Sequence, residues 1–214
     1  MKINRRTVSN ICLAAGIVLL IAALSLVLYN IHQDRQSGEK AHEVLAELKG
    51  MIPEETTPPV TTMFTEDLFA LYESTTTEPI IESSVEIDGH TYIGFVSIPS
   101  IGIELPVIYE WSYPNLKISP CRYKGSALTD DLIIAAHNYT THFGKIGNLH
   151  SGDEIVFTDT DGKKYEYEVN NIEQLPGTAV EDMEFGSAED WDLTLFTCTL
   201  GGQSRVTVRA SRIP

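Results

Sequence analysis

The sequence predicts a mainly β protein, a small closed or nearly closed barrel with one or two short helices, preceded by an apolar helix and a linker. Three observations carry this. Short apolar runs separated by Gly, Pro and Asp turn signals fill the chain beyond Tyr92. Lys164-Tyr165-Glu166-Tyr167-Glu168-Val169 alternates with the period of a half-buried strand. Near the C-terminus, Leu193-Thr194-Leu195-Phe196-Thr197-Cys198 and Arg205-Val206-Thr207-Val208-Arg209-Ala210 flank Gly201-Gly202, a pattern that spells a hairpin.

Taken in order, residues 1–10 carry Lys2, Arg5 and Arg6 and no acid, and read as a cytoplasmic tail. Residues 11–29 follow as an apolar run of about 19 residues, enough to cross a bilayer core as a helix. The run exceeds the apolar region of a signal peptide and lacks small residues at its end, so an uncleaved anchor is expected, with everything beyond Asn30 outside the cell. Residues 30–90 read as an extracellular stem and linker. Val44, Leu45 and Leu48 stand at helical spacing, which predicts a short stem helix up to Lys49. From Pro53 to Glu82 threonine, proline and acid dominate, a composition that buries too little apolar surface to order itself and is expected to serve as a flexible spacer. The apolar island Met63 to Tyr72 within it has a docking or lid role as its lesser reading.

Residues 91–214 form the folded domain. Strands are expected at Gly94 to Pro99, Ile101 to Val107, Asp131 to Asn138, Gly152 to Thr158 and Lys164 to Val169, with helical possibilities only near Thr141 to Leu149 and Ala179 to Phe185. In the closing hairpin, Gly201 and Gly202 as the central turn residues set Cys198 opposite Arg205. This register sends Leu193, Leu195, Val206, Val208 and Ala210 to a core face and Cys198, Arg205, Thr207 and Arg209 to the other. From the hairpin alone, a reactive thiol beside a guanidinium and a structural core cysteine with surface arginines are equally compatible.

Composition narrows the function. The formal charge of −15 and the lack of any Lys/Arg-rich stretch argue against nucleic-acid binding. Three cysteines, one of them Cys12 in the apolar run, make a poor disulfide framework, although a bridge between Cys121 and Cys198 stays open. Cysteine catalysis requires a thiolate, a proton carrier and donors for a developing oxyanion. Cys198 is the candidate thiol. His137 is the candidate carrier, because it stands where an apolar strand emerges, whereas His32, His42, His90, His142 and His150 read as exposed loop residues. Arg205, a permanent cation with forked donors, is the third.

These residues resemble those of the sortases. Thr194-Leu195-Phe196-Thr197-Cys198 is similar to the T-L-x-T-C signature, Ala136-His137 to the histidine position, and Arg205-Val206-Thr207-Val208-Arg209-Ala210 to the R-x-x-V-x-A strand. The likeness extends to Ile98-Pro99 with Ile103, and to Phe143 through Leu149 with Gly152-Asp153. The resemblance implies an eight-stranded barrel and a cysteine transpeptidase on the outer face of a Gram-positive membrane. Its substrates would be secreted proteins with a C-terminal sorting signal such as L-P-x-T-G, and its acceptor an amine of a cell-wall precursor or a pilin lysine. It further implies that Cys198 attacks, that His137 exchanges protons, and that Arg205 and the Thr199 backbone N–H hold the oxyanion, with Thr197 lining the pocket and Ala136 beside it.

A short loop between Cys198 and Arg205, no long helix between Val169 and Asp192, and no Asp-Pro-aromatic motif in the linker place the chain nearer classes A or D than B or C. Two other functions compete: an extracellular binding or adhesive module on a stalk, and a cysteine hydrolase with water as acceptor. No cofactor and no metal are expected. Cys198, Cys121 and His137 include no local pair at zinc-ligand spacing, and no loop has the Asp-x-Asp-x-Asp-Gly form, so calcium dependence is left open.

Overall fold

The structure, a computed structural model, describes residues 5–53, 83–184 and 191–214. Among these, β1 (Val85–Ile87), β2 (His90–Ile98), β3 (Ile103–Ile108), β4 (Cys121–Lys124), β5 (Leu132–Ala136), β6 (Glu154–Asp159), β7 (Lys164–Pro176), β8 (Leu193–Cys198) and β9 (Ser204–Arg212) form one sheet. Its order is β1-β2-β3-β4-β5-β8-β9-β7-β6, and a further pairing of β2 with β6 closes β2 to β9 into an eight-stranded ring. On that edge of β2, β1 pairs with His90 to Tyr92 and β6 takes over at Gly94. A Cβ on Gly94 would lie 2.0 Å from the Thr158 carbonyl oxygen, so only glycine lets β6 approach there.

The mainly β, closed barrel expected from the sequence is therefore the fold found. β1 and β4 were not expected. Cys121, which follows Ser119-Pro120 where a loop was expected, instead pairs with Ile108 of β3 and Ala135 of β5. It is buried and free, as is half-buried Cys198, so the two do not form a bridge. Strand β7 runs past Val169 through a register shift between Val169 and Asn171, which ends the alternation visible in the sequence.

Alternation along the strands builds two apolar layers. Leu132, Ile134, Ala136, Leu193, Leu195, Val208 and Ala210 belong to the barrel interior with Phe157, Tyr165 and Tyr167. Ile133, Ala135, Phe196 and Cys121 face outward into a second cluster, covered by Leu116 of α2 (Tyr113–Leu116) and Met183 of α3 (Val180–Glu184). Arg209 departs from the expectation of a surface arginine. It is fully buried: Nε donates to Glu173 at 3.0 Å, Nη1 to the Met183 carbonyl at 2.7 Å and to Thr194 Oγ1 at 2.9 Å, and Nη2 to the Asp182 carbonyl at 2.6 Å. The two bonds to the main-chain carbonyls of Asp182 and Met183 hold α3 onto the sheet.

The N-terminal helix α1 (Arg5–Met51) is continuous. Its first part is long and apolar enough to cross a membrane and is unburied by the barrel. The stem helix expected from Val44, Leu45 and Leu48 is the far end of this same helix, and its buried stripe also includes Ser37 and Ala41. Leu48 and Val44 pack with Ile87, Tyr92 and Ile108 in the outer cluster, and Lys49 pairs with Glu104 at 2.5 Å.

The helix thus reaches the barrel before the Thr/Pro/acid-rich stretch begins, which corrects its reading as a spacer between membrane and domain. Pro53 lies against the β6–β7 turn, where a Cβ on Gly162 would meet its carbonyl oxygen at 2.5 Å. At the other end, Ser83 accepts a hydrogen bond from Thr160 of the same turn at 2.8 Å. Both flanks of the stretch are seated on one corner of the barrel. The stretch itself, with the island Met63 to Tyr72, lies outside the described residues.

Two substitutions test these layers. Leu48→Ala removes a fully buried side chain that joins α1 to the outer cluster and is expected to cost about 2–5 kcal/mol. Arg209→Ala leaves Glu173 and two carbonyls without their donor, at a cost of about 3–5 kcal/mol. Denaturant unfolding of the full chain in detergent measures both, with an exposed residue such as Glu47→Ala as reference.

Candidate active site

Strands β5 and β8 run parallel, with Ala136 beside Thr197. The next residue of each, His137 and Cys198, therefore emerges at the same end of the barrel. Antiparallel pairing of β8 with β9 sets Cys198 opposite Arg205, the register expected from the sequence. The turn differs in detail: the Gly202 N–H donates to the Thr199 carbonyl, making Leu200 and Gly201 the central residues, and both glycines have positive φ.

His137, Cys198 and Arg205 line one cavity of about 240 Å³. Its wall continues the outer apolar cluster through Leu116, Ala135, Met183 and Phe196. Trp111, Tyr113 and Tyr123 complete it as an aromatic chain: Trp111 and Tyr113 lie 5.3 Å apart, Trp111 and Tyr123 5.9 Å, and Tyr123 and Phe196 5.3 Å. The sequence reading passed over this wall. Its local signal is Ser112-Tyr113-Pro114, where Ser112 caps α2 by accepting from the Asn115 N–H and so holds Tyr113 at the rim.

The polar groups differ in how they are held. The Nε2 of His137 is buried without a hydrogen-bond partner. Burial first, and the Lys117 cation second, hold its pKa below the usual histidine value, so the ring is neutral at pH 7. Arg205 is half-buried, and its Nη1 donates to the Gly202 carbonyl at 3.0 Å and the Ser204 carbonyl at 3.2 Å, curling the guanidinium around the turn. Gly177 gives it room, since a Cβ there would lie 3.3 Å from Nη1. Burial pushes the Cys121 thiol up to about 12, which keeps it protonated and inert.

Of three residues expected at the substrate, two sit differently. Thr197 shares the inward face with Leu195, is 3% exposed, and donates to the Ala136 carbonyl at 2.8 Å; it ties β8 to β5 behind the cavity and is absent from its lining. The Thr199 N–H, expected to hold an oxyanion, donates to the Ser204 carbonyl at 2.9 Å and is committed to the hairpin. Ala136 does line the cavity.

A half-buried free thiol, a neutral imidazole and a guanidinium thus line one apolar cleft of a closed barrel, the three kinds of group that cysteine acyl transfer requires. The family follows from comparison. A Sortase domain model matches residues 96–213, and the chain belongs to the sortase family. It is 28% identical over 121 residues to Sortase A of Bacillus anthracis, covering 54% of this chain and 56% of that protein, so it spans little more than half of that relative. Among solved structures it is similar to sortase C1 from Streptococcus agalactiae, with TM-score 0.52, 27% identity and coverage of 62% of this chain and 73% of that one. Sortase C1 from Streptococcus suis matches with TM-score 0.50 and 26% identity over 57% of this chain and 73% of that one. A Clostridium perfringens sortase D5 shares the fold, with TM-score 0.50 and 24% identity over 57% of this chain and 79% of that one. Of these solved structures, those that share 25% identity or more are sortases C1, which runs against the expectation that set the chain nearer classes A or D than B or C.

Of the five histidines expected in exposed loops, only His150 is one; His32 and His42 are exposed on α1, and His90 opens β2 half-buried. His142, expected to be an exposed loop residue, is fully buried, with Nε2 3.0 Å from Ser37 Oγ of α1. Burial, and then His137, lower its pKa to about 4 against the pull of Asp34. Because the folded pKa lies below the unfolded value of 6.5, the folded state resists a proton that the unfolded chain accepts. Stability is therefore full above pH 6.5 and falls as pH drops towards 4, by roughly 3 kcal/mol over the whole shift. Denaturant unfolding of wild type and His142→Gln across this range should give a slope in wild type that the variant lacks.

Proposed function

We propose that the chain is a membrane-anchored cysteine transpeptidase acting on the C-terminal sorting signals of secreted proteins. The observation that carries the reading is the meeting of three groups in one cleft: the Cys198 thiol, the unpartnered Nε2 of His137, and Arg205 paired across from Cys198. In the first half-reaction Cys198 sulfur attacks the carbonyl carbon of a Thr-Gly bond, or its equivalent, in an L-P-x-T-G-like signal. A thioester forms, the C–N bond breaks, and His137 takes the thiol proton from Cys198 and delivers it to the departing amine. In the second, an amine of a cell-wall precursor or a pilin lysine attacks the thioester, His137 accepts its proton, and the thiolate is released. Arg205 holds the oxyanion in both steps. With the Thr199 amide committed to the hairpin, no oxyanion role is assigned to it.

The membrane assignment rests on the apolar helix, and the orientation on Lys2, Arg5 and Arg6 before it, which favour an inside N-terminus and an outside barrel. Binding of sorting signals draws on the apolar wall, which suits the flat, uncharged part of such a peptide.

The full chain in detergent, incubated with an L-P-x-T-G peptide and analysed by intact mass, should show a thioacyl adduct on Cys198. Cys198→Ala abolishes the adduct, whereas Cys121→Ser keeps turnover. Arg205→Ala should lower kcat/KM by ~10²–10³, and Arg205→Lys by less. Added hydroxylamine or glycyl peptides should divert the product from acid to amide. Product that stays acid at every amine concentration points to a hydrolase. No adduct, with Cys198 also inert to a methanethiosulfonate reagent, points to a binding module.

A further inference from the structure

Helix α1 does more at the barrel than bury apolar surface. One turn before its apolar stripe, the Asp34 carboxylate accepts four hydrogen bonds from two neighbouring residues. Its Oδ2 takes the N–H and hydroxyl of Thr140 at 3.0 and 2.5 Å, and its Oδ1 takes those of Thr141 at 3.1 and 2.6 Å. Burial alone would raise the Asp34 pKa, but these bonds outweigh it and hold the carboxyl below its usual range. One turn on, Ser37 must donate its only hydroxyl proton to the Lys117 carbonyl, so its contact with His142 Nε2 is donated by the ring. Directly after Ser37 comes Gly38, where a Cβ would come within 2.6 Å of Thr141 Cγ2, so the helix backbone lies close against the loop.

The loop so gripped follows His137 directly, and it is closed on itself. The Phe143 N–H donates to the His137 carbonyl at 3.2 Å and the Gly144 N–H to the Tyr139 carbonyl at 2.8 Å. A Cβ on Gly144 would lie 2.6 Å from that same carbonyl oxygen, so the loop has little slack. Within it the rings are stacked in sequence: His142 lies 5.5 Å from Tyr139, and Tyr139 lies 4.9 Å from His137 at a tilt of 32°. The His137 ring has no hydrogen bond at Nε2 to set its angle, and the Tyr139 ring lies against it.

We propose that α1 is a positioning element for the catalytic histidine: Asp34 and Ser37 fix the loop of residues 138–142, and Tyr139 passes that placement to the His137 ring. The proposal rests on the reading of His137 as the proton carrier. It assigns a role in the reaction to a helix that otherwise serves as an anchor, through residues none of which reaches the cavity.

The test uses the full chain in detergent micelles, with wild type, Asp34→Ala, Gly38→Ala and the pair Tyr139→Phe and Tyr139→Leu. Misplacement of a reacting group by about 1 Å can cost 10²-fold in rate, so Asp34→Ala and Gly38→Ala are expected to lower kcat by ~10- to 100-fold with KM within about twofold. Tyr139→Leu should do the same, and Tyr139→Phe, which keeps the ring, should restore the wild-type rate. In parallel, the ring resonance of His137 in ¹³C-histidine-labelled protein, assigned with His137→Gln, should move in Asp34→Ala and Tyr139→Leu and stay in Tyr139→Phe. A wild-type kcat and an unmoved resonance in Asp34→Ala and Tyr139→Leu would overturn the proposal, as would losses that merely track melting temperature. Should Asp34→Ala fail to fold, the tyrosine pair decides alone. Should wild type cleave no peptide, the function reading fails, while the histidine resonances still decide whether α1 sets the ring.

Discussion

The parallel pairing of β5 with β8 is the constraint on which the molecule depends. Parallel neighbours cannot be joined by a tight turn and need a long crossover. Here the crossover is everything from His137 to Asp192, and it contains β6 and β7, the strands that close the ring onto β2 and β9. Closing the barrel and bringing His137 beside Cys198 are consequences of one connection. Because Ala136 and Thr197 are in register, a slip of one residue in either strand would turn one member of the pair from the outer cleft to the packed interior. The Thr197 hydroxyl on the Ala136 carbonyl pins that register at the last rung before the cleft.

Around this frame the outer face carries a second apolar layer, and polar groups decide where it is covered. Arg209 draws α3 down by its main-chain carbonyls, while Glu184 at the end of α3 takes the Tyr123 hydroxyl at 3.1 Å and Lys124 at 2.9 Å. The helix is too short to hold itself together in water, so its place depends on these bonds. Where α3 and α2 stop short of each other, the layer stays open, and that opening is the cleft.

What could be read from the sequence was local and periodic. The hairpin register followed from the two-residue alternation of Leu193, Leu195, Val208 and Ala210, and with it the facing of Cys198 and Arg205. His137 stood out because a wholly apolar strand ends at it. What could not be read was the burial of polar side chains, since this depends on partners far along the chain. Arg209 is held by residues 173, 182, 183 and 194, and His142 by Ser37, more than a hundred positions away. The same blindness misplaced the Thr/Pro/acid-rich stretch. Its composition was plain, but its place in the architecture depended on Ser37 and Ala41, small residues that extend the buried stripe of α1 without marking it as apolar. Thr199 was misjudged for the opposite reason: its amide was read as available when the hairpin already used it.

The unbroken course of α1 has a mechanical meaning. With the apolar run Ile11–Tyr29 in a bilayer, the barrel begins to be held at Asp34, about one helical turn above the last apolar residue. A domain on a loose tether explores a hemisphere of positions, but one clasped to a rigid rod keeps a set altitude and compass bearing over the lipid. Each residue added to that interval would raise the cleft by about 1.5 Å and swing it by about 100°, so the number of residues there acts as a vernier that aims the cleft.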